Sequence, residues 1–142
     1  GFATVSTSGP DARRLGFLRA GDAISMNRAR LLADAKAVAL ARVTTYAPPQ
    51  PRKVPVGGPS VFAALKLGVH LAWRAGRISD HDAVIGRKLA WILSGGNVPA
   101  ATTLTEQQLL DLEREAFLSL CGERKTQERI AHTLKTGKPL RN

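Results

Sequence analysis

Apolar residues recur at spacings of three and four along most of the chain, interrupted at glycines and prolines, and this pattern predicts helices separated by sharp stops. Pro10 suits the first turn of a short helix ending at Gly16. Behind an N-cap at Asn27, the residues Leu31, Leu32, Ala35, Val38, Ala39, Val43 and Tyr46 form the clearest amphipathic pattern, with Arg28, Arg30, Asp34, Lys36 and Arg42 largely on the wet side. A further helix runs from Ser60 through Phe62, Leu65, Val69, Ala72 and Trp73 to Gly76. The next starts at a Ser79 cap and carries Val84, Ile85, Leu89, Ile92 and Leu93 to Gly95-Gly96. This pair is apolar on several faces, as expected of an antiparallel hairpin packed against other protein. Thr105 to Gln108 reads as a capping box opening a helix with Leu109, Leu112, Ala116 and Leu120. Thr126 is expected to open the last helix, with Ile130 and Leu134, ended by Gly137 and Pro139.

Two short alternating stretches, Thr4 to Ser8 and Ala23 to Met26, are the candidate strands. The expected fold is therefore mainly α, a helical bundle or set of hairpins with at most two short strands near the N-terminus. Residues 47–59 hold five of the eight prolines together with Gly57-Gly58, which precludes a regular helix or a central strand there. They divide the chain into residues 1–46, a linker at 47–59, a helical hairpin at 60–104 and C-terminal helices at 105–142. The first residue is Gly1 rather than Met, and Phe2-Ala3-Thr4-Val5-Ser6 reads as extended, so the chain is expected to begin inside a structural element.

Composition narrows the function classes. With 44% hydrophobic and 23% charged residues the chain is neither disordered nor membrane-like in make-up. No apolar run reaches the ~18 residues of a membrane span, and no signal peptide is visible. Cys121 is the single cysteine, which excludes a disulfide within the chain and favours a reducing, cytoplasmic setting. The net charge of +10 invites a polyanionic partner. Nine Lys and Arg against three Asp and Glu fall in residues 1–60, five against two in 61–104, and seven against six in 105–142. The excess sits early, without the aromatic interleaving that base stacking requires, which argues against a nucleic-acid binder.

Candidate chemistry is sparse. His81 lies between Asp80 and Asp82, a set that could ligate a metal or support proton transfer; adjacent residues do not converge on one ion, and first-turn carboxylates offset the helix dipole. His70 and His132 stand alone at no metal-ligand spacing. Gly57-Gly58-Pro59 matches neither a dinucleotide fingerprint nor a P-loop and reads as a turn. Cys121, near a helix C-terminus, reads as packed and inert. Lys135 and Lys138 follow the last helix, where ammonium groups can meet a phosphate or simply compensate the helix dipole.

The ending resembles a known family. Glu113 and Phe117, Glu128-Arg129-Ile130 and Lys138-Pro139 are similar to the C-terminal signature of the enoyl-CoA hydratase/isomerase (crotonase) superfamily. Ala12-Arg13-Arg14-Leu15-Gly16-Phe17-Leu18 is similar to the step that follows that superfamily's catalytic core. The interior segments are similar to the extra helical insertion of bacterial multidomain 3-hydroxyacyl-CoA dehydrogenases that carry a crotonase-like region. Those segments are Tyr46 to Val56, Ala64-Leu65-Lys66-Leu67-Gly68, Ile78-Ser79-Asp80-His81-Asp82, Lys88-Leu89-Ala90 and Gly95-Gly96.

The resemblance implies a C-terminal segment of a fatty-acid β-oxidation enzyme that hydrates 2-enoyl-CoA and oxidises 3-hydroxyacyl-CoA with NAD. It implies as partners the parent's dehydrogenase and hydratase regions and acyl-CoA, with a homo-oligomer an open option. Residues 1–46 would then close the crotonase-like core region, and 60–104 would be the inserted hairpin. No Gly-x-Gly-x-x-Gly is present, and the family's oxyanion-hole amides and catalytic carboxylates match nothing here, so no catalytic residue is assigned and the chain alone is expected to be inactive. By position Lys138, with Lys135 beside it, is implied to contact the phosphates of CoA; Thr136-Gly137 replaces the family's usual basic pair, and Thr133 its aromatic. Two other readings stand beside this one, a self-contained helical interaction module and a basic nucleic-acid binder. Light scattering discriminates the first and salt-dependent DNA retention the second.

Overall fold

The computed structural model describes residues 4–142, which fall into two compact units divided between Pro49 and Gln50. The expected extended start at Gly1-Phe2-Ala3 lies outside the described residues. As expected, the fold is mainly α.

In the first unit, helix α1 spans Gly9–Arg14. Ser8 is its N-cap and accepts from the Asp11 N–H at 3.2 Å, while the Asp11 carboxylate accepts from the Thr7 N–H at 3.0 Å and from Arg14 at 2.8 Å. Thr7 and Ser8 are thus spent on capping, and no strand forms over Thr4 to Ser8. Ala23 to Met26 takes no regular structure, ending in a bend at Met26, and has no strand beside it to complete a ladder. Both expected strands are therefore absent. Asn27 does act as a cap, accepting from the Ala29 N–H at 3.0 Å, but over a single 3-10 turn, Arg28–Arg30, that leads into α2, Leu31–Arg42. No residue of α2 is buried, with Leu32 82% and Leu40 62% exposed, so the apolar side expected to be covered lies open.

The second unit begins with β1, Lys53–Pro55, which pairs antiparallel with β2, Thr103–Thr105, in the register Val54 opposite Leu104. These are the two strands of the described residues, displaced from the sequence expectation into the proline-rich linker and its partner loop. Proline is tolerated because both strands of a two-stranded ribbon are edges and Pro55 closes its own.

Helices α3 (Gly58–Arg74), α4 (Asp80–Ser94), α5 (Glu106–Cys121) and α6 (Arg124–Thr136) follow. Helices α3 and α4 form the expected antiparallel hairpin: Val69 packs at Gly86, and Trp73 Nε1 donates to Asp80 at 2.7 Å. Helix α4 in turn packs on α5, and α5 on α6 and β2. The buried side chains are small in volume apart from His81, namely Val56, Ala83, Ala90, Ser94, Leu104 and Ala116, because the helices touch along alanines rather than across interleaved leucines. Both capping boxes form, Ser79 with Asp82 and Thr105 with Gln108, and Gly95 and Gly137 take the left-handed conformation that ends α4 and α6. Helix α6 starts at Arg124 rather than Thr126, whose hydroxyl is engaged elsewhere. Among the described residues no helix is long and apolar enough to cross a membrane.

Candidate functional site

The first turn of α4 is the most connected polar feature of the second unit. Its capping box fixes Ser79 and Asp82: the Asp82 N–H donates to Ser79 Oγ at 3.1 Å, and the Ser79 N–H donates to Asp82 Oδ2 at 3.0 Å. Arg129, projecting from α6, donates to Asp82 Oδ1 at 2.7 Å and to Ser79 Oγ at 3.3 Å. The same guanidinium donates to Asn142 Oδ1 at 2.8 Å and to the Asn142 carbonyl at 3.3 Å. His81 is buried, and its Nε2 lies 2.8 Å from Thr126 Oγ1. Three neighbouring side chains therefore diverge, Asp80 toward Trp73, His81 toward Thr126 and Asp82 toward Arg129. Among the described residues no cluster of His, Cys, Asp and Glu is arranged to hold a metal. This arrangement joins α3, α4, α6 and the tail to Asn142.

The electrostatics follow from that geometry. Burial lowers His81 below its ordinary value of 6.5, and the positive Arg129 and Lys125 lower it further. Burial alone would raise the Asp82 carboxyl, but the Ser79 N–H and the Arg129 guanidinium outweigh it and hold the group below 3.8. For both groups the unfolded chain binds protons that the folded chain refuses, so stability falls with falling pH. The His81 contribution is fully present above pH 6.5 and is lost as pH drops from there; the Asp82 contribution begins to fail only below 3.8. Denaturant unfolding between pH 7 and about 5 is expected to show a positive slope of stability with pH that disappears in His81→Gln. An unchanged slope in that variant would remove His81 from the account.

A second feature is a groove of about 470 Å3 between α4 and α5, floored by Ile85, Leu89, Ile92, Phe117 and Leu120, with Lys88, Glu113 and Arg114 at its edge. Phe117 is 57% exposed, and Leu110 and Leu118 beside it are also exposed. Glu113 and Phe117, which carried part of the sequence resemblance, are thus groove-lining residues. Such a surface is apolar along its floor and charged at its rim. Cys121, half-buried at the end of α5, is a free thiol.

Lys135 lies in the last turn of α6, and Lys138 follows Gly137. The backbone at Lys138 is fastened by threonine hydroxyls: its N–H donates to Thr136 Oγ1 at 3.2 Å, and its carbonyl accepts from Thr133 Oγ1 at 3.3 Å. Thr133 and Thr136 stand where the sequence departs from the family pattern, and they hold the turn that presents Lys138. Neither lysine lines the groove between α4 and α5. Sequence reasoning missed Arg129 as the bridge between elements; its partner Asp82 is 47 residues away, and nothing local distinguishes it from a surface arginine.

Comparison with known proteins gives one relationship over nearly the whole chain. A probable 3-hydroxyacyl-CoA dehydrogenase of Bacillus subtilis (strain 168) is 48% identical over 142 residues, which is 99% of this chain and 18% of that protein. The match falls in the C-terminal part of the relative, so the chain spans about a fifth of its length. No protein-family model matches the sequence, and no solved structure matches it.

Proposed function

We propose that the chain is the C-terminal helical segment of a multidomain 3-hydroxyacyl-CoA dehydrogenase with a crotonase-like region, an enzyme of fatty-acid β-oxidation that uses NAD and acyl-CoA. The observation that carries this reading is the 48% identity sustained over 99% of the chain. The segment's role in that parent is packing and assembly. Its open apolar surfaces, on α2 and along the groove of α4 and α5, are what helices present when the remainder of a larger protein covers them. Catalysis is assigned to the parent's other regions, because acyl-CoA chemistry needs oxyanion donors and a placed base, and this sequence carries no match to the family's catalytic motifs.

Within this reading Lys138, with Lys135 beside it, contacts a phosphate of CoA. An ammonium on a short, threonine-fastened turn is a point charge suited to that task. Calorimetry of CoA binding to the full-length parent and to its Lys138→Ala variant tests the contact. About fivefold weaker binding is expected, the effect of one partly solvated ion contact worth ~1 kcal/mol. Equal affinities would refute it.

A further inference from the structure

We propose that Lys66, His70 and Arg87 form a second phosphate-binding site, on the flank of the hairpin made by α3 and α4. The three side chains line one hollow of about 350 Å3 with Ala63 and Leu67. Lys66 and His70 are one helical turn apart on α3 and so share a face. Arg87 arrives from α4. It is brought there by the close approach at its neighbour Gly86, where a Cβ would stand 3.0 Å from Val69 Cγ2, so the absent side chain is what allows the two helices to meet.

The cations are free to take an anion. Among the described residues neither Lys66 nor Arg87 forms an ion pair. The two carboxylates of residues 61–104 are both committed, Asp80 to the Trp73 indole and Asp82 to Arg129, and both lie at the far end of α4's first turns. Lys66 Nζ sits 5.2 Å from the centre of the Phe62 ring, a contact that orients the ammonium without neutralising it. His70 is likewise held, with its ring 5.7 Å from that of Trp73. A planar arginine fork, a lysine point charge and an imidazole N–H around one hollow match the several acceptor oxygens of a phosphate group.

The phosphate is either free or carried on a nucleotide-bearing coenzyme; the coenzyme source rests on the acyl-CoA reading above, and the site itself does not. The test is titration of the full 142-residue chain with inorganic phosphate, followed by backbone amide NMR shifts at ionic strength held constant with sodium chloride. Saturable shifts confined to residues 63–70 and 86–88 are expected, with affinity at least about tenfold weaker in the Lys66→Ala/Arg87→Ala variant. Both residues are exposed on helices, so the variant keeps its fold, which the unchanged amide spectrum elsewhere verifies. The charge-matched control Arg52→Ala/Lys53→Ala leaves the affinity as it was. A parallel titration with CoA identifies the source: tighter binding at the same amides assigns the phosphate to a coenzyme, and binding of inorganic phosphate alone assigns a free ion. Shifts that fail to saturate, or a control variant that loses as much as the site variant, would overturn the proposal. Failure of the Lys138 contact leaves this outcome untouched, because the two experiments share neither residue nor readout.

Discussion

Replacing Arg129 with alanine is expected to destabilise the chain by about 3 kcal/mol, the larger part of what breaking a mostly buried charge pair costs. The guanidinium is 19% exposed and its Asp82 partner 28%, so solvent screens the pair only in part. Four acceptor atoms on three residues lose the guanidinium at once, Asp82 Oδ1, Ser79 Oγ, and the Oδ1 and carbonyl oxygens of Asn142; Asp82 then keeps only the N–H of Ser79, and Ser79 Oγ only the N–H of Asp82. The loss should appear as a lower urea midpoint with an unchanged denaturant slope. Arg129→Lys should recover less than half of it, since an ammonium cannot reproduce a fork that spans Asp82 and Asn142. In Arg129→Ala the acid sensitivity assigned to Asp82 should also shrink, because the cation that holds its carboxyl low is gone. A loss below about 0.5 kcal/mol would place this pair among solvated surface contacts.

Gly95→Ala is expected to cost a similar amount for a different reason, and the two effects should add because they share no partner. Gly95 ends α4 at φ +94, where an L side chain costs roughly 1–2 kcal/mol. A Cβ there would also stand 2.6 Å from Val56 Cγ2. Val56 cannot step aside freely, being buried and tied through its N–H to the Thr102 carbonyl at 2.9 Å. Overpacking adds roughly 1–3 kcal/mol, for a total near 3. Gly137→Ala supplies the control: it has φ +68 and nothing within 4 Å of the added carbon, so only the backbone part, about 1 kcal/mol, should be seen. Thermal unfolding of both variants separates the two causes, and equal losses would rule out the contact with Val56.

What could be read from the sequence was what is decided locally. The Ser79 cap, the Thr105 capping box and the glycine stops at Gly95 and Gly137 each depend on residues within a turn of one another, and all four form. What could not be read depends on distant partners. The pairing of Val54 with Leu104 joins segments that are each too short to show strand periodicity, while Thr4 to Ser8 alternates but has cap hydrogen bonds to make instead. In the candidate sites the same division holds. Lys135 and Lys138 are found by their place in the chain, whereas His70 reads from sequence as standing alone, and Lys66 and Arg87 gather round it only once α3 and α4 meet at Gly86. Arg129 and Thr126 look like ordinary polar positions of a wet helix until α4 is laid beside them.

Helix α2 carries a consequence for how such a chain acquires its shape. A helix of 12 residues with none buried draws nothing from packing, and in water a segment of that length barely repays the entropy of its first turn. Its leucines and valines lie open, so little beyond its own backbone bonds holds it in shape. Residues 31–42 are therefore expected to exchange their amide hydrogens faster than α4 or α5, whose alanines are buried.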